Sequence, residues 1–116
     1  TKLLDPNGSA EDRIGYGGPS LSADGLILAA ASPFDDDKGG NWGSVSVWER
    51  ADTSIPFSSV SPTKLFDPNG NAENWLGYGG LSLSANGLIL AAASHLDDTI
   101  GQESGSVLVW ERKELC

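Results

Sequence analysis

The sequence predicts an all-β fold in which one structural unit is used twice. Three observations predict it. Laying residues 1–50 over residues 63–112 needs no gap, and 35 of the 50 positions are identical. Each copy divides into short apolar or alternating runs separated by Asx-Gly, Asp-Pro-Asn-Gly and glycine-rich turns, the pattern of strands joined by tight connections. No segment places its apolar residues at helical spacing. A period of several tens of residues with strand-like content points to stacked β units that need neighbours to bury their faces.

The most informative stretch is residues 22–32, Ser-Ala-Asp-Gly-Leu-Ile-Leu-Ala-Ala-Ala-Ser, which returns at residues 84–94 with Asn86 in place of Asp24. Asp24-Gly25 and Asn86-Gly87 predict two-residue hairpin turns, because these dipeptides tolerate positive φ. Residues 26–31 then read as a strand with Leu26, Leu28 and Ala30 on one face and Ile27, Ala29 and Ala31 on the other. A strand apolar on both faces must be covered on both faces.

The remaining elements follow in order. Each copy opens with Thr-Lys-Leu and then Leu4 or Phe66, a short strand candidate ended by Asp-Pro-Asn-Gly at residues 5–8 and 67–70. Proline fixes one backbone angle of that turn, and Asn and Gly accept the unusual ones. Polar residues 9–13 and 71–75 lead into Gly-Tyr-Gly-Gly at 15–18 and 77–80, where the backbone turns sharply or passes close to a neighbour. Ser-Leu-Ser at 20–22 and 82–84 is the strand before the hairpin turn, and an acidic loop follows the hairpin at 32–41 and 94–103. The closing strand spans 43–50 and 105–112; in the first copy Val45, Val47 and Glu49 share one face and Ser44, Ser46 and Trp48 the other. Residues 51–62 hold two prolines and five serines or threonines and read as a loop. Four strands per copy, with strongly apolar inner strands, match the blade of a β-propeller. The sequence repeats run 1–62 and 63–116.

Composition limits the partners. Sixteen acidic against seven basic residues give a formal charge of −9, which repels nucleic acid and anionic lipid. The longest apolar run is far shorter than the roughly 20 residues that cross a bilayer, so no membrane insertion is expected. Methionine is absent even at position 1, so a processed form or a segment of a longer protein is expected. The single cysteine, Cys116, allows no internal disulfide and is either a free thiol or bonded to another chain.

Gly-Tyr-Gly, then Leu-Ser-Ala-Asp-Gly, then Leu-Ala-Ala-Ala-Ser-Pro-Phe-Asp-Asp-Asp, then Gly-Ser-Val-Ser-Val-Trp-Glu-Arg is an order that resembles the FG-GAP repeat, the blade unit of integrin-type β-propellers. The resemblance covers nearly the whole chain in both copies. Ile14-Gly15 and Leu76-Gly77 stand where the family has Phe-Gly, and Ala31-Ser32-Pro33 and Ala93-Ser94-His95 where it has Gly-Ala-Pro. The resemblance implies that the Lys-Leu-Leu-Asp segment is the outer strand of the preceding blade. Residues 64–67 would complete the blade made by residues 19–50, whereas the blade of residues 81–112 would lack a fourth strand and residues 2–5 would be a fourth strand without a blade. The expected fold is therefore two four-stranded antiparallel propeller blades, the second completed by a strand from a neighbouring chain or repeat. Lys2, Leu3 and Leu4 are the expected donor, and Val107 and Val109 line the expected acceptor edge.

Candidate ligand residues fall in the loops. Asp67, Asn69, Asn71 and Glu73, repeated as Asp5, Asn7, Ser9 and Glu11, put oxygen side chains at alternate positions, as calcium loops do. The calcium loops of FG-GAP blades read Asp-x-Asp-x-Asp-Gly, and here the glycine falls at the fourth place, so a solvated turn is the competing reading. Asp35, Asp36 and Asp37 with Asp97 and Asp98 are a second Ca2+ candidate against plain surface acidity. Trp42 and Trp75 occur in one copy each and could stack on a glycan or a protein; Trp48 and Trp110 recur on strands and read as packing residues. Asn7-Gly8-Ser9 is an N-glycosylation triplet. His95 lacks a nucleophile motif beside it, and the sequence holds no phosphate loop, cysteine pair or nucleophile elbow.

These observations favour a non-enzymatic extracellular or cell-surface β-propeller repeat protein that joins head to tail with itself, or with adjacent repeats of a longer chain. A ring (six blades being the first expectation) or a filament would serve a structural or adhesive role. A lectin-like glycan-binding module and a calcium-stabilised protein-interaction propeller are the alternatives.

Overall fold

The computed structural model describes residues 2–4, 14, 15, 18–32, 43–66, 76, 77, 80–94 and 105–112. It is all-β, with two antiparallel sheets. The first contains β1 (Pro19–Leu21), β2 (Ile27–Ser32), β3 (Ser44–Glu49) and β4 (Thr63–Leu65) in that order, and the second β5 (Leu81–Leu83), β6 (Ile89–Ser94) and β7 (Ser106–Glu111). β4 lies in the second sequence copy yet pairs with β3, Leu65 opposite Val45 and Thr63 opposite Val47.

β1 to β3 and β5 to β7 repeat each other down to register. Leu21 faces Leu28 and Ala30 faces Ser46 in the first sheet, and Leu83 faces Leu90 and Ala92 faces Leu108 in the second. The hairpin connections repeat as well, but they are longer than the two residues that the Asx-Gly dipeptides suggest. β2 starts at Ile27 rather than Leu26, leaving residues 22–26 as the loop, with Gly25 at φ 76° and Gly87 at φ 75°.

Side-chain chemistry explains the longer loop. Asp24 Oδ1 accepts from the Ser22 hydroxyl (2.7 Å) and the Leu26 amide (3.0 Å), while the Ser22 hydroxyl oxygen accepts from the Ile27 amide (3.1 Å). These local bonds compete with an early start of the ladder. Asn86 Oδ1 makes the same two bonds at 2.8 and 3.0 Å. Both bonds need only an acceptor oxygen, which is why Asp and Asn exchange here. In the first copy the Leu26 amide, and then the Ser22 hydroxyl, hold the Asp24 carboxyl below its ordinary value of 3.8.

Residues 51–62 cross from β3 to β4 through a 3₁₀ turn at Phe57–Ser59. Arg50 ties this connection down: its Nε donates to Gly25 O and its Nη1 to Ile55 O, both at 3.0 Å, and its guanidinium lies 4.0 Å from the Phe57 ring centre.

The core lies between the sheets. Ala29, Ala31 and Val45 of the first sheet meet Leu90 and Ala92 of the second, with Leu76 buried among them and Val47, Leu65, Leu108 and Trp110 around the margin. Two alanines on β2 keep that face low, so the second sheet's backbone approaches closely. A methyl group at Gly77 would collide with Ala31 Cβ. Leu83 N donates to Ser20 Oγ (3.1 Å), and Ala23 N to Ala85 O (3.0 Å), across the sheets. Arg112 Nη1 donates to both oxygens of Glu49, at 2.8 and 2.7 Å. Ser32 and Ser46, fully buried on the opposite face of the first sheet, have hydroxyls with no hydrogen-bond partner among the described residues.

Candidate functional site

The two sheets do not meet through equivalent faces. The first presents Ile27, Ala29, Ala31, Val45 and Val47; the second presents Leu90, Ala92, Leu108 and Trp110. Sixty-two positions separate the copies, so this second set corresponds to Leu28, Ala30, Ser46 and Trp48. Each sheet thus uses the face that the other leaves unused. The stacking is heterologous, front of one on back of the next; it leaves the face of the second sheet with Ile89 and Val107 exposed, whereas the back of the first, with Ala30, Ser46 and Trp48, is buried within the chain.

Exposure records the consequence. Ile27 is 8% exposed and its counterpart Ile89 44%; Val45 is 0% exposed and its counterpart Val107 66%. These are the same residue types at the same register, separated only by whether a sheet covers them. The face of β6 and β7 that carries Ile89, Ala91, Ala93, Val107 and Val109 is therefore an apolar surface of interaction-site type. β7 also pairs only with β6 among the described residues, so no described strand occupies its other edge, the kind of edge that templates strand addition.

Residues 2–4 supply the second half of the geometry. They form no regular element, although Thr1-Lys2-Leu3 repeats the Thr63-Lys64-Leu65 of β4. The same tripeptide becomes a strand where β3 lies beside it; residues 2–4 have no such pairing. Their position is nonetheless specific. Leu3 shares one cavity wall with Leu28 and another with Trp48, whereas Leu65 shares a cavity of ≈ 170 Å³ with Leu90 and Trp110. Leu3 therefore borders the Leu28 and Trp48 side of the first sheet, the counterpart of the side of the second sheet that Leu65 borders.

Of the residues singled out from the sequence, the structure places Lys2, Leu3 and Leu4 along a cleft that Trp48 also lines, with Lys2 and Leu4 exposed, and puts Val107 and Val109 on β7. Trp48 is buried, and Trp110 is half-buried against the core. Asp5, Asn7, Asp35, Asp36, Asp37, Asp67, Asn69, Asn71, Glu73, Asp97, Asp98, Trp42, Trp75, His95 and Cys116 all lie outside the described residues. Among the described residues, no three His, Cys, Asp or Glu side chains group to hold a metal ion, and no helix is long and apolar enough to cross a membrane.

Sequence reasoning marked residues 26–31 and 88–93 as strands in need of cover on both faces, without singling out Ile89, Ala91 and Ala93 as the uncovered face. The signal was present in the two-sided apolar pattern of both copies, but pattern alone does not say which face each copy leaves open. No family model, curated protein or solved structure matches the chain.

Proposed function

We propose that the chain is a non-enzymatic β-propeller-type repeat protein that assembles head to tail with copies of itself, into a ring or a filament, in a structural or adhesive role outside the cell or on its surface. The two sheets are then consecutive blades. One observation carries the proposal: the face that is covered on the first sheet is left open on the second, as Ile27 at 8% exposed against Ile89 at 44% and Val45 at 0% against Val107 at 66% illustrate. A heterologous contact of this kind repeats, closing if the rotation per step allows and otherwise running on as a fibre. The FG-GAP resemblance of both copies supports the blade reading and the surface location.

Native mass measurement of the 116-residue chain tests the proposal. Masses at multiples of 12.1 kDa that grow with concentration are expected. A folded 12.1 kDa monomer at all concentrations contradicts it.

A further inference from the structure

We infer that the open edge of β7 and the uncovered face of the second sheet bind a second copy of this chain in one defined register, with the partner's Leu3 opposite Val107 and its Lys2 opposite Leu108. This rests on the head-to-tail reading above and goes beyond it by specifying which strand adds, at which residues, and which face follows it.

The register comes from the molecule's own first sheet. β4 adds to β3 with Leu65 opposite Val45 and Lys64 opposite Ser46. The β3 positions Val45 and Ser46 become Val107 and Leu108 in β7, and the β4 positions Leu65 and Lys64 become Leu3 and Lys2. In one copy Leu3 of the donor segment already borders the clefts lined by Leu28 and by Trp48, the side on which a preceding sheet's outer strand would lie. Adding it to β7 of another copy brings the first sheet of the donor against the uncovered face of the acceptor. Strand addition needs only the β7 edge; face packing in addition requires the cover that now buries Ala30, Ser46 and Trp48 on the donor's first sheet to give way.

The face contacts follow the same correspondence. Gly77 sits on Ala31 within the chain, so Gly15 of the second copy sits on Ala93. Gly15 has no described atom within 4 Å of where its Cβ would be, so room for that contact exists. The Leu83 amide donates to Ser20 Oγ within the chain, so the Leu21 amide of the second copy reaches Ser82 Oγ, on an exposed side chain. Ile89, Ala91, Ala93, Val107 and Val109 are identical to the residues that form the covered face of the first sheet.

Two differences make this contact weaker than the internal one. Pro19 and Ser46 stand where the internal contact has Leu81 and Leu108, so less apolar surface is buried. Arg50, the counterpart of Arg112, is already engaged by Gly25, Ile55 and Phe57, so the ion pair to Glu111 that would mirror Arg112 and Glu49 is not preformed. The assembly therefore dissociates on dilution while each chain stays folded.

Disulfide trapping tests the register. Directly opposed residues of an antiparallel pair lie about 4.5–5.5 Å apart, within disulfide reach, whereas a two-residue offset moves them to about 7–8 Å. A Leu3→Cys chain is mixed with a Val107→Cys chain, both carrying Cys116→Ser, in a glutathione redox buffer. A linked pair of unlike chains is expected, at least tenfold in excess of that from Leu3→Cys with Val109→Cys. Ala93→Arg in the Val107→Cys chain is expected to abolish the link while circular dichroism remains that of the folded chain. An oligomer by native mass that cross-links at the offset position, through like chains or not at all overturns this register and leaves the head-to-tail reading standing; a monomer overturns both.

Discussion

Replacing Gly77 by alanine probes the packing of one sheet on the other, and Gly15 provides its internal control. The two glycines are counterparts with nearly equal backbone angles, φ 89° and 86°. A methyl group therefore costs both positions about 1–2 kcal/mol of left-handed backbone strain. Only Gly77 adds a collision, with Ala31 Cβ on β2. Overpacking a close-packed core costs about 1–3 kcal/mol. Gly77→Ala is accordingly expected to destabilise the chain by about 2–5 kcal/mol and Gly15→Ala by about 1–2 kcal/mol. Urea denaturation on dilute, monomeric protein measures both through the midpoint at unchanged slope. Equal losses, to within about 0.5 kcal/mol, would refute the inference that the sheets are held through this face, since additive sites normally agree that closely. At concentrations where chains assemble, Gly15 acquires Ala93 of a neighbour, and its penalty should rise toward that of Gly77.

Three further outcomes follow from particular contacts. Asp24→Asn should leave the melting temperature at neutral pH unchanged, because Asn86 already makes the same two hydrogen bonds in the second copy. Its effect appears in acid: a carboxyl held below 3.8 in the fold contributes stability that is present above that value and lost as pH falls through the folded pKa, so the variant should melt with a flatter pH profile below pH 4 (about the ordinary carboxylate range). A melting profile that coincides with the parent's throughout acid would contradict this. Ser46→Ala removes a buried hydroxyl with no described partner, and such a change is near neutral or stabilising; a loss above about 1 kcal/mol by urea titration would show that the hydroxyl is bonded. Arg112→Ala should cost less than about 1 kcal/mol, because the pair with Glu49 is half exposed and uses a single guanidinium nitrogen rather than a fork. A double-mutant cycle with Glu49→Ala at low and high salt measures it, and a coupling that salt does not weaken would argue against the exposed geometry.

The all-β architecture was legible because its signals are local. The repeated Asx-Gly and Gly-rich turns bound the strands, and the alternation in residues 26–31 marks a strand with two apolar faces. That β4 is a strand was legible from the repeat of Lys-Leu with Leu or Phe at the start of each copy, whereas its place beside β3 was what the FG-GAP resemblance implied. Loop length was misjudged because an Asx-Gly dipeptide reads as a two-residue turn, whereas Ser22 and Asp24 bind the backbone between them and lengthen the loop to residues 22–26. The face assignment was not legible at all. Ile27 and Ile89 have identical neighbours in sequence, and only tertiary packing buries the first and leaves the second exposed.

The same packing asymmetry supplies the most direct test, amide hydrogen exchange along β7 compared with β3 as protein concentration is raised. β3 is paired on both sides within the chain, so its amides should be protected at every concentration. The outward-facing amides of residues 106–111 should exchange rapidly in dilute solution and become as slow as those of β3 once chains assemble. Exchange in β7 that stays fast at every concentration would contradict the proposal that this edge is where one copy receives the next.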